Sequence, residues 1–421
     1  MQTSISPALL NNPGVAEVDT ILRSCVHCGF CNATCPTYQL LGSELDGPRG
    51  RIYLIKEMFE TGQAGNNTRM HLDRCLTCRS CETTCPSGVR YGRLVDIGRE
   101  TVEHLAPRSF AEKLLRMAML AVIPYTARMS AALTLARLLR PLLPRQLQNK
   151  IPDKQIASPT PAVTHARRML VLDGCVQPLG TPNTNAAAAR VFDRLGISLV
   201  SVQGAGCCGA LNQHLSDPEG AKTMMRRNID AWWPHVESGV EAIVMTASGC
   251  GLMVKEYAES LKNDAAYADK AARISALARD ASEIVAGELS NRDNLGAFEH
   301  IGRGMRVAYQ SSCTLQHGQK LGGTVEALLR RCGYELTPVA DSHLCCGAAG
   351  SYTLLQPELS GQLLENKLAA LQRGNPEVIA SANVGCQMHL ASASNVPVMH
   401  WIELLDKSQN QKICNVNVER K

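Results

Sequence analysis

Cysteine is the residue type in this chain whose number and spacing best indicate a chemical role. The sequence of 421 residues contains 18 cysteines, and eight of them form two runs with the same spacing. The runs are Cys25-x2-Cys28-x2-Cys31-x3-Cys35-Pro36 and Cys75-x2-Cys78-x2-Cys81-x3-Cys85-Pro86. Three thiolates at intervals of three residues can bind one face of an iron–sulfur cube, and a fourth cysteine before proline ligates the other cube. We therefore predict two [4Fe–4S] clusters, the first held by Cys25, Cys28, Cys31 and Cys85 and the second by Cys75, Cys78, Cys81 and Cys35.

Zinc is the main alternative for these eight cysteines. Structural zinc sites usually take their ligands from two separated cysteine pairs. Four cysteines within eleven residues, twice, with a proline after each fourth cysteine, fit that arrangement poorly. Because the predicted ligands cross between the runs, we expect cluster assembly and folding of this part of the chain to be coupled.

An internal repeat accounts for eight further cysteines. The first copy has Cys175, the motif Cys207-Cys208-Gly209 and Cys250, and the second has Cys313, Cys345-Cys346-Gly347 and Cys386. The first intervals are both 32 residues, from 175 to 207 and from 313 to 345, and Asn228 aligns with Asn366. Short apolar stretches alternate with helical ones, which predicts parallel strands with crossover helices. We expect the isolated cysteines just past the carboxyl ends of strands, where open α/β sheets bind ligands.

Each repeat can therefore bring up to four thiols to one place. The second copy adds three histidines, whereas the first has Ala205 and Met253 at the positions of the last two. We predict a further metal or redox site in the second repeat, formed by Cys313, Cys345, Cys346, Cys386, His317, His343 and His389. A weaker candidate is the set Cys175, Cys207, Cys208 and Cys250. A cluster, a dithiol and zinc all remain open, and the histidines are either structural or handle protons.

The surrounding sequence predicts a multidomain protein. An α-helical, ferredoxin-like domain with two clusters (1–105) precedes a helical segment and linker (106–162) and two tandem α/β cysteine-rich repeats (163–300 and 301–421). The net charge of +5 is small and scattered, which argues against nucleic acid as a partner. Arginines and a proline interrupt the most apolar region, 114–143, so no stretch reaches the ~20 apolar residues of a spanning helix. With no secretory signal and many clustered thiols, we expect a cytoplasmic protein that is either soluble or held on a membrane by a partner.

The layout resembles that of the heterodisulfide reductase-like electron-transfer family with CCG repeats. Within it, the chain is similar to the iron–sulfur subunits of bacterial glycolate oxidases. The stretches that carry the resemblance include CVHCGFCNATCPTYQLLGSELDGPRGRIYLIKE, LDRCLTCRSCETTCPSGVRYGRL, DSHLCCGAAGSY and NVGCQMHLAS. The fuller family pattern ends each repeat in Cys-x-x-Cys, and this chain has Met253 and His389 at those last positions.

The resemblance implies a complex in which partner subunits carry FAD and oxidise glycolate to glyoxylate. This chain would then pass electrons from the flavin towards quinone at the membrane. The chain itself has no nucleotide-binding fingerprint, since GAGCCGAL lacks the required glycine placement. Three alternatives remain: a disulfide reductase that uses the CCG thiols, the equivalent subunit of a glycerol-3-phosphate or lactate dehydrogenase, and a cluster-bearing regulator.

Overall fold

The computed structural model describes residues 1–12, 14–142, 148, 151 and 153–406. By contacts, the chain forms two compact units. The first consists of Met1–Ala118, Leu211–Pro218 and His343–Lys367. The second consists of Met119–Ala210, Glu219–Ser342 and the chain from Leu368. The domain boundaries predicted from the sequence stay a prediction.

The amino-terminal region is helical, as predicted. Its helices are α1 (Val15–Ser24), α2 (Phe30–Ala33), α3 (Pro36–Leu41), α4 (Pro48–Thr61), α5 (Asn66–Asp73), α6 (Ser80–Thr84), α7 (Tyr91–Leu105), α8 (Phe110–Val122) and α9 (Thr126–Leu139). Short 3₁₀ turns cover Pro7–Leu9, Glu44–Asp46 and Arg140–Leu142. In the first unit, α1, α4, α5 and α7 contribute apolar side chains at helical spacing to one core, including Leu22, Ile55, Phe59, Leu72 and Leu94.

In the described part of the chain, no single helix has the length and apolarity to cross a membrane. Helix α8 and the segment Thr126–Leu142 meet that requirement only when taken together, and they are bent by 112°.

The second unit contains two parallel sheets. The strands are β1 (Arg167–Val171), β2 (Ile197–Ser201), β3 (Ile243–Met245), β4 (Ala278–Asp280), β5 (Arg306–Gln310), β6 (Glu335–Leu336), β7 (Val378–Ser381) and β8 (Val398–His400). The sheet orders are β2-β1-β3-β4 and β6-β5-β7-β8, and the paired strands run parallel. The same order in both sheets confirms the two tandem α/β repeats.

Helices connect these strands. They are α10 (Gln177–Gly180), α11 (Asn183–Asp193), α12 (Ala210–His214), α13 (Pro218–Glu237), α14 (Ser248–Lys255), α15 (Tyr257–Ser260), α16 (Ala268–Leu277), α17 (Ala281–Glu288), α18 (Arg292–Gly296), α19 (Thr324–Arg331), α20 (Tyr352–Leu355), α21 (Pro357–Gln372), α22 (Val384–Ala391) and α23 (Trp401–Leu404). A π-helical turn covers Thr314–Gly318.

The sheets are apolar on both faces, which is typical of parallel strands covered by helices. Successive residues of β1 pack into different cores: Met169 joins one cluster and Leu170 the other. The cluster around Met169 also contains Val307 and Tyr309 of β5 in the second repeat. The two repeats therefore share one apolar core within the second unit.

Candidate iron–sulfur and cysteine sites

Both amino-terminal cysteine runs form short loops between helices. Cys25 follows α1 and Cys75 follows α5, and each third cysteine lies in the next short helix. His27 and Thr77 have φ of 60° and 53°, and Arg79 has φ of 60°. A left-handed non-glycine residue costs about 1–3 kcal/mol and persists where the surrounding structure requires it. His27 and Thr77 occupy equivalent positions, so the two loops share this turn and present their thiols in similar ways.

Two adjacent cavities collect the thiols of these runs. The first has an empty volume of about 430 Å³ and the second of about 300 Å³. Both are lined by Pro48, Cys81 and Tyr91, so they adjoin one another. The first cavity is also lined by Cys25, Cys28, Cys31 and Cys85, and the second by Cys35, Cys75 and Cys78. Each four-cysteine set predicted from the spacing therefore lines one cavity, and the assignment of individual ligands remains a prediction.

The close packing and burial of these thiols mean that they can be ionised together only around a strongly positive group. Burial, followed by the charge of Cys25, raises the pKa of Cys31 to about 11. Burial also raises the pKa of Cys78 and of Cys81 well above the usual range. Without a cation, thiols packed this closely would stay protonated, because neighbouring thiolates repel one another. Iron supplies the positive charge that lets four thiolates coexist, so the residues present fit a [4Fe–4S] cluster at each cavity.

Buried cationic and hydroxyl side chains surround the second cavity, and they were not expected from the sequence. Arg51 Nη1 lies 4.0 Å from Cys35 Sγ and 3.2 Å from Thr37 Oγ1. Thr37 Oγ1 is itself 3.3 Å from Cys35 Sγ, and Tyr91 OH donates to Cys75 Sγ over 3.8 Å. These groups can hydrogen-bond ligating sulfurs and so tune a cluster. A signal for Arg51 was its place in the first turns of a helix whose neighbours, Ile52 and Ile55, are apolar.

The structure brings the four cysteines of the first repeat together, all within the second unit. Hydrogen bonds from the thiols of Cys175 and Cys208 lower the pKa of Cys207 to about 3. Hydrogen bonds to Cys207 and then Cys250 raise the pKa of Cys208. Arg227 also lowers the pKa of Cys207 through its charge. The four sulfurs thus form one connected group, which is able to bind a metal or to act as a dithiol pair.

Asn228 fixes the backbone of the first CCG motif. It is fully buried, its Oδ1 accepts from Gly206 N over 2.9 Å, and its Nδ2 donates to Cys207 O over 2.9 Å. The matched residue Asn366 is exposed. The alignment of these two asparagines predicted from the sequence is therefore wrong.

An ideal Cβ on Gly209 would lie 3.0 Å from Ala221 O, whereas one on Gly347 would lie 2.8 Å from Ser360 O. Ala221 lies 12 residues after Gly209, whereas Ser360 lies 13 residues after Gly347. The second copy therefore has one additional residue between its glycine and the helix that the glycine contacts. The structural counterpart of Asn228 is then Lys367, which is 4% exposed. The second motif thus has a buried lysine where the first has a buried amide.

The predicted second-repeat site is divided between the compact units. Cys345, Cys346 and His343 belong to the first unit. There, burial and then the charge of Cys345 raise the pKa of Cys78, so Cys345 lies near the second cluster cavity. Cys313, Cys386, His317 and His389 belong to the second unit. In that unit Asn383 Nδ2 lies 3.6 Å from Cys386 Sγ. That these residues form one site stays a prediction.

The isolated cysteines lie close to strand ends, but two of them are not in loops. Cys175 and Cys313 follow β1 and β5 after short loops. Cys250 and Cys386 instead lie in the first turns of α14 and α22, because a helix begins two residues after each strand. All four cysteines therefore lie past the carboxyl ends of strands, two after short loops and two in the first turn of a helix. Met253, at the position where the family pattern has a final cysteine, is packed in the apolar core.

Comparisons with known protein families match the described geometry. Residues 21–89 match the family described as "4Fe-4S dicluster domain". Residues 169–255 and 307–391 match the family described as "Cysteine-rich domain". The chain therefore carries two [4Fe–4S] clusters in its amino-terminal region, followed by two CCG domains.

Named relatives extend the match over nearly the whole chain. The glycolate oxidase iron-sulfur subunit of Escherichia coli (strain K12) is 53% identical over 97% of this chain and 99% of that protein. A probable glycolate oxidase iron-sulfur subunit of Bacillus subtilis (strain 168) is 29% identical over 93% of this chain and 95% of that protein. A crystal structure of a hypothetical protein from Helicobacter pylori shares the fold, with a TM-score of 0.56 at 8% identity, covering 97% of this chain and 75% of that one.

Proposed function

The chain belongs to the family of glycolate oxidase iron–sulfur subunits, and we propose that it relays electrons from a flavin-containing partner to quinone. Its membership shows an iron–sulfur electron-transfer subunit of an oxidoreductase complex. In the proposed reaction the partner's FAD takes two electrons from glycolate, which leaves as glyoxylate. This chain then carries those electrons one at a time. Because quinone is held in the membrane, the complex would work as a peripheral assembly on its inner face.

The observation that carries this proposal is the pair of adjoining thiol-lined cavities. Two one-electron centres that share lining residues form a short path for electrons, which a relay needs. A regulator would need only one such centre. Each predicted cluster takes three cysteine ligands from one run and the fourth from the other run. In the proposed path, Cys345 of the second CCG motif is the next group that the electrons reach.

The test is to compare the isolated chain with the chain assembled with its flavin partner. Both are incubated anaerobically with glycolate, and cluster reduction is followed by electron paramagnetic resonance. We expect glycolate to reduce the clusters only when the flavin partner is present. A quinone analogue should then reoxidise them.

Two outcomes would contradict the proposal. Turnover of glycolate by the isolated chain would show that the chain itself oxidises the substrate. Reduction of a disulfide by the isolated, chemically reduced chain, without any flavin partner, would favour a thiol reductase. Lactate and glycerol 3-phosphate serve as matched substrates, because faster reduction with either would reassign the complex to a related dehydrogenase.

A further inference from the structure

The two cluster cavities differ in the charges around them. Arg51 lines the second cavity and is 1% exposed. Its Nε donates to His71 O over 2.7 Å, and its Nη1 points at Thr37 and Cys35. Arginine stays protonated even when it is buried. A fixed positive charge therefore lies beside a predicted ligand of the second cluster.

A second buried arginine contacts the loop that begins at Cys75, another predicted ligand of the second cluster. Arg99 is 6% exposed, and its Nη2 donates to Cys75 O over 2.6 Å and to Leu72 O over 2.8 Å. Its Nη1 donates to Thr77 Oγ1 over 2.9 Å. Carbonyl and hydroxyl oxygens carry no net charge, so these contacts hold the guanidinium in place without neutralising it. The nearby carboxylate of Asp73 is hydrogen-bonded to Arg108 and also shared with Arg116, so it offsets the charge of Arg99 only in part.

The nearest carboxylate only partly offsets these charges. Asp46 Oδ1 lies 3.5 Å from Arg51 Nη2. The same carboxylate is 3.1 Å from Arg74 Nη1 and hydrogen-bonds His71 over 2.9 Å. One negative charge is thus shared by two arginines, so it neutralises Arg51 only in part.

The first cavity has a different environment. Cys28, one of its lining cysteines, is exposed. Arg49 also lines it, but this side chain is 35% exposed and forms an ion pair with Glu44 at 2.5 Å. The amino group of Met1, 2.7 Å from Cys25 O, is likewise in a partly buried position. Water and the ion pair screen these charges, so they act weakly on a cluster there.

We propose that Arg51 and Arg99 give the second cluster site the higher reduction potential, so that electrons enter at the first site and collect at the second. The inference rests on the proposed function for the source of the electrons. In this step the first cluster loses one electron and the second gains one, with no proton or bond transferred. Reduction adds a negative charge, and buried positive charges stabilise that charge about four times more strongly at an effective dielectric constant of about 20 than in water.

This order also points the electrons towards the second CCG motif. The segment with Cys345 belongs to the same compact unit as the two cavities. Tyr352, seven residues further, donates from its OH to Arg74 O over 3.0 Å, which holds this segment against the same region. The second cluster site thus lies between the exposed first site and the CCG motif. Burial alone would disfavour the added charge, and the arginines reverse that preference.

The first experiment is a potentiometric titration of the assembled complex, with mediators and dithionite and without glycolate. Electron paramagnetic resonance gives one midpoint potential for each amino-terminal cluster. Cys28→Ser removes a predicted ligand of the first cluster, so the wild-type signal that it changes most or removes is assigned to that cluster. We expect the signal so assigned to have the lower midpoint potential in the wild-type complex, and a higher midpoint would overturn the inference.

The second experiment removes the charges. Arg99→Gln and Arg51→Gln should each lower the midpoint of the second cluster by at least about 59 mV, a tenfold change in its equilibrium constant for one electron. Arg99→Lys keeps the charge and should retain most of the potential, and Arg49→Gln should leave the second cluster unchanged. A shift with Arg99→Lys equal to that of Arg99→Gln, or no shift in either glutamine variant, would refute the role of charge.

If the glutamine variants do not fold, the Cys28→Ser titration of the complex still decides the order. Because neither experiment uses glycolate, the potentials can be right or wrong independently of the substrate. Failure of glycolate to reduce a complex whose potentials follow the expected order would count against the proposed function alone.

Discussion

Asn228 holds the first CCG motif in place from its buried helix, together with Tyr257, whose OH donates to Cys208 O over 2.9 Å. Asn228→Ala would leave Gly206 N and Cys207 O without their partner, and a buried unsatisfied group costs about 1–3 kcal/mol. We expect a clear fall in the denaturant midpoint of the anaerobically purified chain. Asn366→Ala is the matched control, because Asn366 is exposed and its loss should change stability by no more than about 0.5 kcal/mol. Equal falls in the denaturant midpoint of both variants would show that Asn366 is the counterpart of Asn228 after all.

His400 makes a pH-dependent contribution to stability. Burial lowers its pKa to about 4 from the usual 6.5, and its Nε2 bonds Thr246 O over 2.8 Å while its Nδ1 accepts from Ile402 N. Between pH 6.5 and 4 the unfolded chain binds a proton that the folded chain does not. This contribution is therefore present above pH 6.5 and is lost as the pH falls towards 4.

The measurement is the denaturant midpoint from pH 7 down to pH 5. Wild type should lose stability more steeply than His400→Asn, and His104→Asn, at an exposed position, should follow wild type. Asp280 makes the opposite contribution to the pH dependence of stability, because burial raises its pKa to about 6. Since Asp280 is present in all three chains, it does not affect the comparison between them. Parallel slopes for wild type and His400→Asn would contradict the assignment.

At the scale of elements, each CCG motif depends on the glycine that ends it. Gly347 has φ of +89°, and a Cβ there would lie 2.8 Å from Ser360 O and 2.9 Å from Leu363 Cβ. Gly347→Ala should therefore destabilise the chain by about 1–3 kcal/mol from backbone strain, and further from the contact with a carbonyl that cannot move away. Gly361→Ala, in open space within α21, should instead stabilise it by about 0.5–1 kcal/mol. Unfolding midpoints, with iron content measured in parallel, distinguish the two.

The elements also show which parts of the structure the sequence could predict. Ligand spacing is local, so two cysteine runs sufficed to predict two cluster sites, and the repeat predicted two α/β units with parallel strands. The burial of Arg51 and Arg99 is decided by contacts between helices distant in sequence, and only Arg51, with its apolar helix neighbours, carried a local signal. The one-residue difference that pairs Asn228 with Lys367 became visible only where Gly209 and Gly347 contact their helices.

At the scale of the whole molecule, the two repeats are not equivalent. The segment with Cys345 and Cys346 belongs to the compact unit that contains the cluster cavities, and Cys345 lies near Cys78. The thiols of the first repeat all belong to the second unit. The second repeat is therefore the expected continuation of the electron path.

This asymmetry predicts different consequences for equivalent substitutions. Cys346→Ser, assembled with its partners, should abolish electron delivery from glycolate to a quinone analogue while both amino-terminal clusters keep their paramagnetic signals. Cys208→Ser should lower the unfolding midpoint more than the rate, because Cys208 is 4% exposed and joins the thiol group of Cys207 and Cys250 in the core of the second unit. Equal loss of quinone reduction in both variants, or loss only with Cys208→Ser, would show that electrons pass through the first repeat.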